Sequence, residues 1–264
     1  MISDLWYTAA FVFAMGAIVG SFLNVCIYRL PKRASIVAPR SFCPSCKKSI
    51  GWYDNIPLVS YAILRGKCRS CKSGISPVYI IVEFLTGALF LALFLTFGLT
   101  PEFFIYSVFT CGLVIATFVD FEIQEIPDEI SLGGIALGLV LSFAFPSIMD
   151  QGSRLQALFQ SFIGVVVGGG MIYLLGLTGE AIFKKEAMGG GDVKLLAMIG
   201  AFLGWKFTVL TFFMAPIFGS FVGIIMKYRY GKETIPYGPY LSVGALGALF
   251  FGEKIISFLS CGIY

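Results

Sequence analysis

Long apolar stretches separated by short polar ones set the rhythm of this chain. Runs of near membrane-crossing length fall at about 6–28, 77–98, 102–119, 130–146, 158–177, 188–205, 207–226 and 236–251. A helix needs roughly 17–25 mostly apolar residues to cross a bilayer core, so the pattern predicts about eight transmembrane helices. The first run carries Gly16-xxx-Gly20, and the fifth carries Gly168-Gly169-Gly170, both suited to close helix packing. The sixth run starts with Met188-Gly189-Gly190-Gly191-Asp192 and reaches Trp205 in eighteen residues. If it spans, Asp192 lies inside the membrane edge, where a carboxylate is expensive and points to function. The glycines before it allow another backbone to approach.

Composition strengthens this reading. Of 264 residues, 58% are hydrophobic and 13% charged, against roughly 25% charged in soluble domains. The fold class is an all-α polytopic membrane protein. Residues 1–7 lack a basic stretch, so the first run is expected to remain as an anchor. Ten of the nineteen Lys and Arg lie between Arg29 and Lys72, against one acid, Asp54. By the positive-inside rule this loop is cytoplasmic. Eight crossings then put both termini outside. The remaining inner loops hold Lys184, Lys185, Lys227, Arg229 and Lys232, and the outer connections hold Arg154, Lys206 and Lys254.

Absence of histidine removes His-based acid–base, nucleophile and metal chemistry. The basic loop holds Cys43-Pro-Ser-Cys46 and Cys68-Arg-Ser-Cys71. That spacing fits a four-cysteine zinc ribbon, which would be structural because four thiolates leave no open position. Two disulfides are the competing reading, disfavoured in a reducing cytosol. The loop lacks a series of stacking aromatics, so a nucleic-acid role is not expected.

The third run travels inward and ends at Asp120, and the sixth travels outward from Asp192. Both acids are therefore expected at the cytoplasmic edge, as an aspartic-protease dyad requires. Asp128 is the rival partner, with helix capping as its simpler explanation. Glu83, six residues into the second run, is either a snorkelling acid or a further functional group. A cation-coupled transporter using the same acids is the alternative function, and an assembly scaffold is a third reading.

Taken in order, these motifs resemble the type IV prepilin peptidases, the bifunctional prepilin leader peptidase/N-methyltransferases. The resemblance is carried by Gly20-Ser-Phe-Leu-Asn-Val with Arg29-Leu-Pro31 and the four cysteines with Trp52 and Ile56-Pro57 between them. It continues through Pro77-xx-Ile80-xx-Glu83, Asp120 with Ile126-Pro127-Asp128, Gly189-Gly190-Gly191-Asp192 and Pro236-Tyr-Gly-Pro239-Tyr. It implies an aspartic endopeptidase of the bacterial cytoplasmic membrane with Asp120 and Asp192 catalytic. It also implies metal ligands at Cys43, Cys46, Cys68 and Cys71, and prepilin or pseudopilin substrates. The cut would follow a glycine ending a short basic leader, and the new N-terminus would then be methylated with S-adenosylmethionine. No GxGxxG unit marks the methyl-donor site.

The expected division is a first transmembrane segment (1–28), a basic four-cysteine zinc loop (29–76) and a membrane protease core (77–264). A basic leader would be repelled by the basic loop, so Glu83, Glu122, Glu125 and Glu186 are the candidate leader-binding acids. Asp120 is expected to close a helix and hold the proton, and Asp192 to open one and act as base.

Overall fold

The computed structural model describes residues 2–184, 188–230 and 235–261, so Lys185, Glu186 and Lys232 lie outside the described residues. Its regular elements are helices: α1 (Ile2–Arg29), α2 (Val59–Ile63), α3 (Pro77–Phe97), α4 (Pro101–Ile123), α5 (Asp128–Ala144), α6 (Arg154–Phe183), α7 (Gly190–Tyr230) and α8 (Gly238–Cys261). Elsewhere the described residues hold short 3₁₀ turns and two isolated β-bridges. This is an all-α polytopic membrane fold with a small cysteine-bearing loop. The chain forms two compact units, 1–115 and 116–264, with the boundary inside α4.

In the first unit α1 and α3 pack antiparallel. A Cβ placed on Gly16 would lie 2.9 Å from the Gly87 Cα, and one on Gly20 only 2.8 Å from the Glu83 Cα. The small residues therefore let the two backbones touch, as the Gly16-xxx-Gly20 spacing predicts. Further along the same seam the Asn24 amide donates to the Tyr79 carbonyl at 3.0 Å. The start of α3 is set locally. Ser76 accepts the Val78 N–H through its hydroxyl, and Pro77 occupies the first turn, where its missing N–H costs nothing.

In the second unit α7 packs against α5, α6 and α8. The contact with α6 is backbone on backbone. A Cβ on Gly164 would run into the Gly200 carbonyl oxygen, and one on Gly200 into that of Gly164. The buried Ser161 hydroxyl donates to the Ala201 carbonyl at 2.7 Å beside this crossing. Of the three glycines at 168–170, only Gly168 is pressed against a backbone, that of Leu196, while a Cβ on Gly170 would meet open space.

Six helices among the described residues are long and apolar enough to cross a membrane by length and composition, two fewer than the eight expected runs. One difference is α5, whose 17 residues sit at the lower limit for a span. The other is α7, which contains two expected runs. Its helical geometry fails at Gly204, with φ 72° and ψ 170°. A Cβ built on Gly168 would have both the Leu196 carbonyl oxygen and the Thr208 Cγ2 within 3.0 Å. In a continuous helix, twelve residues would separate those neighbours by roughly 18 Å. The chain therefore doubles back at Gly204, and α7 is two antiparallel arms. Only a residue tolerant of positive φ can make that reversal without strain. With α5 and the two arms of α7 counted separately, the described residues hold eight long helical segments.

Candidate active site and metal centre

The cysteine loop is built twice from the same local plan. The Cys43 N–H donates to the Lys48 carbonyl and the Lys47 N–H to the Cys43 carbonyl. Twenty-five residues on, the Cys68 N–H donates to the Ser73 carbonyl and the Lys72 N–H to the Cys68 carbonyl. Bridges Phe42–Ser49 and Lys67–Gly74 close the two turns, and Lys47 and Lys72 both take positive φ, 59° and 60°. Each CxxC is thus a knuckle that turns its thiols the same way. The four sulfurs lie within 4.8 Å of one another, and those of Cys43 and Cys71 are 3.8 Å apart. Zinc–sulfur bonds of about 2.3 Å in a tetrahedron require sulfur separations near 3.8 Å, so the donor set fits one zinc ion. The Cys43 thiol is lowered to about 6, first by the Cys46 backbone N–H, which favours the thiolate a metal needs. The loop's lone acid, Asp54, pairs with Arg69 at 2.6 Å, and that guanidinium holds its carboxyl below the usual range.

Glu83 is buried and its carboxylate is occupied. Its Oε2 accepts the Leu58 N–H at 2.8 Å, and the Ser21 hydroxyl also bonds to it. Leu58 sits at the centre of a γ-turn, with φ 62°, ψ −48° and a hydrogen bond from the Val59 N–H to the Pro57 carbonyl. Such turns are rare and strained. The Glu83 carboxylate holds this one against α1 and α3, an anchoring role that the sequence reading did not foresee.

The two aspartates come from helix ends in the second unit. Asp120 lies in the last turn of α4, which runs on to Ile123, and is 5% exposed. Its Oδ2 accepts the Gly238 N–H at 2.9 Å from the first residue of α8. Asp192 is the third residue of α7 and half-buried. Its carboxylate takes the Gly189 backbone N–H, while its own N–H donates to the Gly189 carbonyl at 3.1 Å. That is half of a capping box, so the acid also secures the start of its helix. The two carboxylates are close enough for their charges to act on each other.

Ile126 joins the two sides. Its Cβ lies 3.2 Å from a Cβ built on Gly191, and its Cδ1 lies 3.2 Å from one built on Gly238. A side chain at either glycine would press on Ile126, which would have to give by a few tenths of an ångström. Gly190 meets nothing within 4 Å, so the middle glycine is the permissive one. Asp128 lies apart from this arrangement. Pro127, not Asp128, occupies the cap position of α5, and the Asp128 carboxylate pairs with the Lys194 ammonium at 2.5 Å. The capping role expected for Asp128 is therefore replaced by an ion pair. Glu122 and Glu125 are exposed. In sequence, residues 236–239 carry only a paired-proline block, with no carboxylate to mark them as part of the site.

An all-α membrane fold with two carboxylates brought together at helix ends defines, with the comparisons, a polytopic membrane peptidase. Residues 14–97 match the bacterial peptidase A24 N-terminal domain and residues 107–224 the type IV leader peptidase family. The prepilin leader peptidase/N-methyltransferase of Pseudomonas aeruginosa is 35% identical over 91% of this chain and 89% of its own length. That of Bacillus subtilis is 32% identical over 94% and 96%. That of Myxococcus xanthus is 40% identical over 85% of this chain, which spans 64% of that relative. No solved structure matches. The chain belongs to the type IV leader peptidase family. Nothing in these matches favours the transporter alternative.

Proposed function

We propose that this protein removes the basic leader from type IV prepilins or pseudopilins by aspartic proteolysis at the cytoplasmic edge of the bacterial inner membrane. Asp120 and Asp192 form the dyad. The observation that carries this reading is the packing of Ile126 and Gly238 against the two helix ends, which gives both carboxylates a common wall.

Each carboxylate accepts one backbone N–H, Asp120 from Gly238 and Asp192 from Gly189. The roles therefore follow the helix ends: Asp120, in the last turn of α4, holds the shared proton and Asp192, in the first turn of α7, is the base. Water adds to the scissile carbonyl carbon as its proton passes to Asp192. The carbonyl oxygen meanwhile takes the proton of Asp120. The gem-diol then collapses: a hydroxyl proton returns to the dyad, the C–N bond breaks and the amine leaves with the other proton. One proton remains on the pair, which resets it.

The four-cysteine site holds one structural zinc ion. The relatives' names add N-methylation, for which S-adenosylmethionine would supply an electrophilic methyl group. The described residues hold no strand-to-helix glycine turn to receive that donor, and no residue is assigned to it. Exposed Glu122 and Glu125 are the leader-binding acids. Glu83 is committed to Leu58, and Glu186 lies outside the described residues.

The test is a gel shift of a prepilin incubated with membranes carrying the parent protein, Asp120→Asn or Asp192→Asn. The parent is expected to cleave and neither variant to do so. Cleavage by either variant removes the dyad. Mass spectrometry of the pilin N-terminus reads the cut and any methyl group together.

A further inference from the structure

Tyr237 stands one residue before the N–H that binds Asp120, in a segment where sequence reading finds no chemistry. Its phenol oxygen is buried and, among the described residues, has no hydrogen-bond partner. Buried hydroxyls in native proteins nearly always have one, so an unused donor in a polar site calls for an explanation. The backbone that carries it is fixed. The Tyr237 carbonyl accepts the N–H groups of Tyr240 and Leu241 at 3.1 and 3.2 Å, and the next residue is tied to Asp120. The phenol is also close enough to Asp192 for that carboxylate's charge to act on it. It is not a prop for Asp192, because no hydrogen bond joins them.

We propose that Tyr237 is a third catalytic member of this site, its phenol donating a hydrogen bond to the carbonyl oxygen of the peptide being cut as negative charge grows there. This deepens the dyad reading and rests on it. The dyad holds a single proton, so a second donor to the carbonyl oxygen must come from elsewhere, and the chain has no histidine to supply it. A donor fixed in place before substrate arrives is what such stabilisation needs. A phenol ordinarily titrates at about pH 10, so it keeps its proton across the working pH range and remains a donor.

The test compares the full-length parent, Tyr237→Phe, Asp120→Asn and Asp192→Asn in detergent, with a synthetic prepilin N-terminal peptide as substrate. A second probe is the same peptide with a hydroxyethylene group replacing the scissile amide. Loss of one such donor typically lowers kcat by roughly 100-fold. Tyr237→Phe is expected to show a fall of that order with KM within about twofold, and to bind the hydroxyethylene peptide more weakly by a similar factor. The inhibition constant does not depend on how much variant folds, so it decides the matter if yield falls. An inhibition constant within about twofold of the parent overturns the proposal whatever kcat does. If the aspartate variants are dead while Tyr237→Phe behaves as the parent, only the tyrosine role fails. If either aspartate variant cleaves, the dyad reading fails first and takes this proposal with it.

Discussion

At the scale of single residues, the site is controlled by where side chains are absent. Gly191 and Gly238 each face Ile126, and Gly238 also faces the Asp120 carboxylate, with only 2.8 Å from an added Cβ to Oδ2. A methyl group at Gly238 must displace Asp120, whereas one at Gly191 needs Ile126 to give by a few tenths of an ångström, and overpacking of this kind costs roughly 1–3 kcal/mol. We expect Gly238→Ala to lower prepilin cleavage by about tenfold or more, since a small displacement of a catalytic group can cost ~100-fold, and Gly191→Ala to lower it by less. Gly190→Ala, facing open space, should cleave at the parent rate. Cleavage assays on the three variants in matched membrane preparations check this, and a Gly190→Ala defect equal to that of Gly238→Ala would contradict the geometry.

At the scale of elements, α7 and the two knuckles carry the strongest local signals. The α7 hairpin depends on positive φ at Gly204, and its first arm, 190–203, rises only about 21 Å at 1.5 Å per residue. That is less than the roughly 30 Å of a bilayer core, so Asp192 and the reversal cannot both stand in bulk water beyond the membrane. The reversal also puts residues 206 and 229 at opposite ends of the second arm. Alkaline phosphatase fused after 206 is therefore expected to be active in intact cells and fused after 229 inactive. Equal activity at both sites would argue that α7 does not turn back. For the knuckles, the purified protein should carry one zinc per chain by elemental analysis. Cys43→Ser or Cys71→Ser should lose it, while Cys111→Ser, outside the cluster, should retain it.

At the scale of the whole molecule, charge is sorted along the chain. Ten of nineteen cations fall between Arg29 and Lys72, so this loop would repel a basic leader. The exposed Glu122 and Glu125, in the segment joining Asp120 to Ile126, are free to attract such a leader. Replacing both by lysine should slow cleavage of a basic-leader prepilin several-fold more than that of a neutralised leader, with the gap narrowing as salt rises. Equal slowing of the two substrates, measured side by side, would remove these acids from recognition.

Hydrophobic run length alone determined the membrane class, because the bilayer sets the length of a spanning helix and forbids unpaired backbone within it. Cysteine spacing determined the knuckles, since each is closed by hydrogen bonds only a few residues apart. Aspartates at the edges of two runs were legible for the same reason of length. Tertiary structure decided what those runs do to one another. It showed that Asp128 pairs with Lys194, that Glu83 clasps a strained turn near Leu58, and that Gly204 reverses a helix. It also brought Tyr237 and Gly238 to carboxylates 45 and 118 residues away. Periodicity and composition report burial along one segment, whereas these partners are set by packing between segments distant in sequence.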